Sequence, residues 1–504
     1  MSPALDLLLV NPGSQRRIYQ SLSDGLTAVE PPIWAGLMAA FARRRGLSAS
    51  ILDANAEGLG PERVAEAVRH LTPRLVVVVV YGHNPSASTQ VMPAAGAICR
   101  ALKETTPEVK VLLVGGHVAA LPERTLQEEA ADFVCGGEGP ATIVELLQAL
   151  RSGAHDLQNV HDLYYREEDT VRSTPPAPLV MDLDQQMPGV PWDLLPMEKY
   201  RAHNWHCFGD LKRQPYAALY TSLGCPFHCT FCCIQAPFRS GECALGFKRG
   251  VHSYRLWSPP SVLAQIDRLV TGWGVRNIKF ADEIFVLNRA HVEGVCRGII
   301  ERGYDLNIWA YARVDTLRPE MLDLLKKAGV HWLAFGIEAA SERVLKDARK
   351  GYDQSDLCRV IQMTREAGIN VIANFMFGLP EDDLATMQET LDLAMDLNCE
   401  FVNFNCAMAY PGSELYETAV KEGRPLPKSW SGFSQYSADS LPLPTRHISG
   451  EEVLRFRDEA FQRYFVNPPY LAMIERKFGP QTVAHIREMT ARKLVREIPQ
   501  RRVE

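Results

Sequence analysis

The sequence predicts an α/β protein: a doubly wound parallel sheet at the N-terminus, a partial (β/α)6 barrel after it, and a helical C-terminal region. Two observations carry that reading. Short apolar runs alternate with amphipathic stretches in two separate series along the chain, the pattern of parallel strands joined by crossover helices. The second series opens on a loop that carries Cys225, Cys229 and Cys232. A chain of 504 residues has room for roughly three domains. Composition divides it into an N-terminal unit over 1–150, a connector over 151–215, a barrel over 216–412 and a C-terminal region over 413–504.

In the first unit, strands are expected at Leu5–Val10, Ala49–Leu52, Leu75–Val80, Lys110–Val114 and Asp132–Cys135. The first helix opens at Pro31-Pro32, repeats Ile33, Trp34, Leu37, Met38 and Phe41 on one face, and stops at Gly46 after a run of arginines. The loops that follow the strands are Asn11-Pro12-Gly13, Tyr81-Gly82-His83, Gly115-Gly116-His117 and Gly136-Gly137-Glu138-Gly139. Open parallel sheets bind ligands beyond the carboxyl ends of their strands, where glycine lets a backbone come close. A planar or nucleotide-like ligand suits such loops; the plainer reading is that Gly-Gly only turns the chain into the next helix. A dinucleotide is disfavoured, because Asn11-Pro12-Gly13-Ser14 is not a Gly-x-Gly-x-x-Gly loop.

The connector starts with a hairpin candidate, His161–Tyr165 and Thr170–Ser173, and continues as a proline-dotted stretch to Pro196. Proline stiffens such a segment, which reads as an extended tether between domains with no catalytic part.

Strand Tyr216–Ser222 then runs into Gly224-Cys225-Pro226-Phe227-His228-Cys229-Thr230-Phe231-Cys232-Cys233. The spacing C-x3-C-x2-C lets one loop aim three thiolates at a common centre. Thiolates select zinc or iron-sulfur clusters, and three ligands leave one coordination position open. Structural zinc would take Cys233, His228 or Cys243 as its fourth ligand, but zinc sites come as spaced pairs and no second pair is evident. Cys99, Cys296, Cys358 and Cys399 read as core, since free cysteine packs as a small hydrophobe.

Further strands are expected at Asn277–Ala281, Asn307–Tyr311, Trp332–Ile337, Asn370–Phe375 and Glu400–Cys406. Amphipathic stretches separate them, at Pro259–Thr271, His291–Arg302, Pro319–Ala328, Ser355–Ala367 and Leu384–Leu397. Polar residues gather at the strand ends: Asp282 and Glu283, Arg313 and Asp315, Glu338, Asn374, then Gly378-Leu379-Pro380. Barrels of this kind place their chemistry at that rim. Taken singly, each of these is as well explained as a helix cap or an ion-pair partner; their repetition at one rim is the signal.

The last region breaks at Pro425, Pro427, Pro442 and Pro444 around Trp430, Phe433 and Tyr436, and helices follow over 450–465 and from Tyr470 onward. It either caps the barrel mouth or packs on the barrel's flank. Residues 492–502 read as a solvated basic tail. A net charge of -6 gives no global attraction for nucleic acid. The longest strongly apolar run, Leu75 to Tyr81, is far too short to span a bilayer. With no secretory pattern at Met1–Asp6 and twelve scattered cysteines, the expected setting is the cytoplasm with reduced thiols.

The cysteine motif, with Phe280-Ala281-Asp282-Glu283, Phe335-Gly336-Ile337-Glu338 and Phe377-Gly378-Leu379-Pro380-Glu381, resembles the radical S-adenosylmethionine superfamily, and in particular its cobalamin-binding branch. The resemblance covers most of the chain. It implies that Cys225, Cys229 and Cys232 hold a 4Fe-4S cluster whose open iron binds S-adenosylmethionine, with Asp282, Glu283, Glu338, Asn374 and Gly378 as contacts of that molecule. It also implies a flavodoxin-like, cobalamin-binding N-terminal sheet, with Asn11, Gly115, Gly116, His117, Gly136, Gly137 and Glu138 near the cobalamin. The Asp-x-His-x-x-Gly loop that ligates cobalt from below in other corrinoid proteins is absent; His117 reads first as a structural residue of its turn, with a place beside the cobalt as the alternative.

The implied reaction is methylation of an unactivated carbon or phosphorus centre of a small molecule, through a 5'-deoxyadenosyl radical and methylcobalamin. A low-potential donor such as flavodoxin or ferredoxin would supply electrons. The alternatives are a radical cyclisation, rearrangement or oxidation with the same cofactors, or a corrinoid carrier or regulator without catalysis. No catalytic side chain beyond these cofactor contacts is singled out by the sequence.

Overall fold

A computed structural model describes residues 5–13, 18–23, 25–153, 157–352 and 354–497. The first four residues, Ser14 of the first loop and the basic tail beyond residue 497 lie outside the described residues. The expected architecture is the one the chain adopts. Its first sheet contains β1 (Leu5–Asn11), β2 (Ala49–Asp53), β3 (Pro73–Val79), β4 (Lys110–Val114), β5 (Phe133–Cys135), β6 (Leu163–Glu167) and β7 (Thr170–Ser173). Their order is β2-β1-β3-β4-β5-β6-β7, parallel through β5. That is a flavodoxin-like order, whose switch point lies between β1 and β3. Both faces of the central strands are covered, which is why Leu7 to Val10 and Leu75 to Val79 are continuously apolar. The hairpin of the connector is real and adds β6 and β7 antiparallel to β5.

Two short strands, β9 (Ser222–Leu223) and β10 (Arg255–Leu256), follow β8 (Tyr216–Leu219) and pair antiparallel with each other, clasping the cysteine loop. With β11 (Asn277–Phe280), β12 (Asn307–Ala312), β13 (Val330–Glu338), β14 (Asn370–Phe377) and β15 (Phe401–Cys406), β8 builds the second sheet. Its order is β15-β14-β13-β12-β11-β8, all parallel, an open barrel with β8 and β15 at its edges.

The connector is not an external tether. Met187, Val190, Trp192, Leu195, Met197, Trp205 and Phe208 are all buried. Trp205 plugs the amino end of the barrel, with ring centroids 5.1 Å from Trp309 and 5.6 Å from Trp332. Prolines set this backbone extended, but its apolar side chains decide where it goes: into the seam between the two sheets. Helix Ile33–Arg43 lies in the same seam and is buried on every side from Ile33 to Ala42. A Cβ at Gly36 would come within 2.6 Å of Val190, so the connector lies directly on the helix backbone.

Two smaller expectations are corrected. The C-terminal helix expected from Tyr470 onward is two, Pro468–Phe478 and Pro480–Ala491, broken where Gly479 adopts φ +84° and Pro480 starts a new first turn. Cys358, on helix Gln354–Glu366, is exposed, while Cys99, Cys296 and Cys399 are buried.

One buried ion pair ties the sheets together. Glu138, in the loop after β5, accepts from both Nη atoms of Arg255 on β10, at 2.8 and 3.2 Å. Both partners also bond the backbone of Val180 in the connector. Removing one charge would strand the other in a water-poor seam. Glu138→Ala is therefore expected to destabilise the protein by about 3–5 kcal/mol, and the joint change Glu138→Leu with Arg255→Met by much less. Urea unfolding followed by circular dichroism measures both; equal losses in the two variants would show that the pair is not the tie.

Candidate functional site

The cysteine loop is shaped before anything binds it. Gly224 adopts φ +88°, and a side chain there would strike the Ser253 carbonyl, so the loop's two ends can meet only through glycine. The Cys232 amide bonds the Cys229 carbonyl at 3.1 Å, and Thr230 ties the turn to the Ala348 carbonyl and the Leu415 amide. Cys225 and Cys229 are half-buried, and Cys232 opens to a cavity. Burial pushes the Cys225 thiol up to about 11, so a bound metal centre has to displace its proton. Among the described residues no three Cys, His, Asp or Glu side chains close around a single ion.

Two cations stand beside these thiols. Arg313 lies over the Phe227 ring with Nη1 3.9 Å from Cys229 Sγ, and its fork grips Asp315 at 2.9 and 3.0 Å. Lys350 donates to Glu338 Oε1 at 2.7 Å. Burial opposes both charges, but Asp315 in one case and Glu338 in the other outweigh it, and both pKa values move up.

The strand-end acids divide by role. Asp282 is buried and accepts from the Thr221 amide at 2.6 Å, the Thr221 hydroxyl at 2.5 Å and the Ser222 hydroxyl at 2.7 Å. It braces the path from β8 into the cysteine loop. Glu283, the next residue, instead lines the cavity, where burial raises its carboxyl to about 7 against the pull of Lys279. Glu338, at φ +65°, is held by Lys350. Asn374 lines the cavity, donating to the Phe335 carbonyl at 3.1 Å and accepting from Asn403 at 2.9 Å. Gly378 turns the chain away: its amide bonds Asp382, and a Cβ would press on Val453 of the C-terminal region.

The cavity measures ≈ 540 Å³ and lies between the carboxyl ends of the two sheets. Pockets of this size suit drug-sized ligands. The first sheet contributes Asn11 after β1 and His83, Asn84 and Ser86 after β3, at its switch point. The barrel contributes Cys232, Lys279, Glu283, Trp309, Tyr311 and Asn374. At the floor, Glu30 sits between Lys279 Nζ at 2.8 Å and His203 Nε2 at 3.2 Å. Burial pushes the Glu30 carboxyl up, but Lys279 and His203 outweigh it and hold it below the usual carboxylate range. Burial takes His83 down to about 4, leaving a neutral ring near neutral pH.

Asn11 faces this space with its amide fixed on Asp53 at 2.7 Å. The remaining N-terminal candidates stand elsewhere. Gly115, at φ +155°, packs under the Val80 carbonyl, and Gly116 beside Ser88. His117 is buried between Thr89, 3.2 Å from its Nδ1, and the Trp430 ring, and burial takes it to about 3. Gly136 and Gly137 leave room for Tyr164 and Asp162, and Glu138 holds Arg255. These glycines serve close packing of protein on protein.

The sequence reading missed several cavity residues. Asn403 and Asn405 alternate within an otherwise apolar strand, a signal that was available. His203 and Trp205 of the connector, and Gln435, Arg457 and Phe461 of the C-terminal region, arrive by long-range folding and carry no local signal, whereas Tyr436 stands in the aromatic loop already read as a candidate cap. The loop around Tyr436 therefore does wall the barrel mouth.

Comparison with known proteins agrees with this architecture. Residues 219–394 match the model of the radical SAM superfamily and residues 25–147 that of the B12 binding domain, together more than half of the chain. A Pyrococcus horikoshii protein named an uncharacterized methyltransferase is 28% identical, over 93% of this chain and 94% of its own. The anaerobic magnesium-protoporphyrin IX monomethyl ester cyclase of Rubrivivax gelatinosus is also 28% identical, over 88% of this chain and 75% of its own. Among solved structures, the radical S-adenosylmethionine methyltransferase TsrM from Kitasatospora setae, with cobalamin and a [4Fe-4S] cluster bound, superposes with a TM-score of 0.66. That likeness spans 98% of this chain and 100% of TsrM at 17% identity, and it is one of fold. A radical SAM domain and a B12-binding domain thus share one chain, and the cofactors these domains imply are a 4Fe-4S cluster, S-adenosylmethionine and cobalamin.

Proposed function

We propose that the protein methylates an unactivated carbon or phosphorus centre of a small-molecule biosynthetic intermediate, with Cys225, Cys229 and Cys232 as the cluster ligands. The observation that carries this reading is one shared cavity, walled on one side by the switch point of the first sheet and on the other by Cys232 and the strand ends of the barrel. When bound, the cluster supplies the electron for reductive cleavage of S-adenosylmethionine, and cobalamin supplies a cobalt centre able to carry a methyl group.

The chain's residues prepare the ground for that chemistry. Arg313 and Lys350 offset the negative charge of the cysteine thiolates across short distances. Glu283 receives the methionine ammonium, while Asp282 holds the loop in register from behind. The linked amides of Asn374 and Asn403 present fixed hydrogen-bonding groups to ribose or carboxylate. Asn11, Asn84 and Ser86 offer polar contacts to the amide-bearing rim of a corrin. Gly115, Gly116, His117, Gly136, Gly137 and Glu138 support those loops from outside the cavity, and Glu338 and Gly378 do the same for the barrel rim. Trp309 and Tyr311 exclude water from the radical's path. Electrons come from a low-potential donor of the flavodoxin or ferredoxin type, in the cytoplasm. No helix of the described residues is long and apolar enough to cross a membrane.

A second reading, radical cyclisation or oxidation without methyl transfer, is favoured by the relative named as a cyclase. Products separate the two. Protein reconstituted anaerobically with iron, sulfide and cobalamin, given S-adenosylmethionine and a strong reductant, is expected to form both 5'-deoxyadenosine and S-adenosylhomocysteine, read by mass spectrometry. Cys229→Ala is expected to form no 5'-deoxyadenosine. Persistent 5'-deoxyadenosine without S-adenosylhomocysteine would move the assignment to the second reading.

Glu283 makes a pH-dependent contribution. Its carboxyl is charged above about 7 and neutral below, so affinity for the S-adenosylmethionine ammonium should fall as the medium goes from about pH 8 to about pH 6. Glu283→Gln should weaken binding about tenfold at pH 8 and flatten the profile. Equilibrium dialysis with labelled S-adenosylmethionine checks both; an unchanged slope in the variant would remove Glu283 from the site.

A further inference from the structure

Arg457 is a buried cation for which the proposed chemistry has no use. It projects from helix Gly450–Phe465 towards β15 and is only 5% exposed. Its Nε donates to the Phe404 carbonyl at 2.8 Å and its Nη1 to Asp458 Oδ1 at 3.0 Å. Among the described residues Nη2 has no partner, and Arg457 borders the cavity. The Asp458 carboxylate cannot neutralise it alone, because Arg496 grips the same group through Nε and Nη2, both at 2.9 Å. Two guanidinium groups share one carboxylate. Lys279, the cavity's other cation named above, is by contrast matched by Glu30.

A buried charge without a full counter-charge is costly unless a ligand supplies one. A free guanidinium N–H suits a carboxylate or phosphate-type oxygen. The Tyr436 and Phe461 rings lie 5.3 and 5.6 Å from the guanidinium carbon and offer an apolar bed beside it. We propose that Arg457 Nη2 anchors an anionic group, a carboxylate or a phosphonate or phosphate, on the substrate. Both cofactors carry anionic groups as well, but the place of Arg457 in the fold favours the substrate. It is bonded to β15, at the edge of the barrel sheet opposite β8, the strand that leads into the cysteine loop.

This inference rests on the proposed function only in taking the ligand to be the substrate, and its test needs no turnover. Holoenzyme loaded with cluster, cobalamin and S-adenosylmethionine is titrated with phenylphosphonate, benzoate and neutral benzyl alcohol by calorimetry. At least one anion should bind tenfold or more tightly than the alcohol, and the better of the two identifies the head group. Arg457→Gln should lose at least tenfold in anion affinity with cobalamin content and S-adenosylmethionine affinity unchanged. Asp458→Asn, which removes the shared counter-charge, should gain severalfold and keeps the test informative if Arg457→Gln does not fold. Equal binding of the neutral probe, undiminished anion binding in Arg457→Gln, or no gain in Asp458→Asn would overturn the proposal. Loss of cobalamin or S-adenosylmethionine in Arg457→Gln would overturn it too, by assigning the cation to a cofactor. Arg457-dependent anion binding in protein that forms no S-adenosylhomocysteine would count against methyl transfer alone.

Discussion

The carboxylate of Glu30 is where three distant parts of the chain meet. It comes from the N-terminal unit, and the Lys279 ammonium of the barrel and the His203 ring of the connector both reach it at the cavity floor. An ion pair so buried contributes little net stability, because each partner loses its hydration. Its value lies in geometry: displaced from one another, these groups would be charges without partners. The two sheets are thereby held with their carboxyl ends facing across one space, and the remaining features of the site depend on that facing arrangement.

The same pairing sets the electrostatics of the cavity. With Lys279 committed to Glu30, the field inside is governed by Glu283 near the cysteine loop and Arg457 against β15. An acid at one wall and a base at another impose a direction on anything charged that enters. The walls between them are aromatic or amide, Trp309, Tyr311, Asn374 and Asn403, groups that hold shape without adding charge. Radical chemistry needs such a lining, since stray water and mobile ionic groups offer side reactions.

The sheets and the cysteine loop were legible because their signals are local. A parallel strand buried on both faces must be apolar throughout, and a cluster loop must bring its thiols together within a few residues, so Leu75–Val79 and Cys225–Cys232 announce themselves. The site walls were legible only in part. Asp282 and Glu283 are adjacent acids at one strand end, yet the first is consumed by Thr221 and Ser222 and the second faces the cavity. Only the placement of neighbouring strands separates them. The glycine loops were read as places where a ligand comes close, whereas what approaches Gly115 and Gly137 is the Val80 carbonyl and the Asp162 side chain. The connector shows the same limit: proline reveals an extended backbone and says nothing about what Trp205 will touch.

Helix Ile33–Arg43 bears on how the chain is made. Its two sides are covered by partners of different age: the first sheet, whose parallel strands lie between Leu5 and Cys135, and the connector, whose Val190 lies on Gly36. At about 5–20 residues per second, roughly 10–30 s pass on the ribosome between the helix and the connector. Throughout that interval Ile33 and Leu37, which lie beside Gly189 and Val190 in the finished fold, face water on an otherwise assembling domain. The N-terminal unit is thus a nascent intermediate with an adhesive flank, and the connector, the least regular part of the molecule, is the segment whose arrival ends its exposure to chaperones and to other unfinished chains.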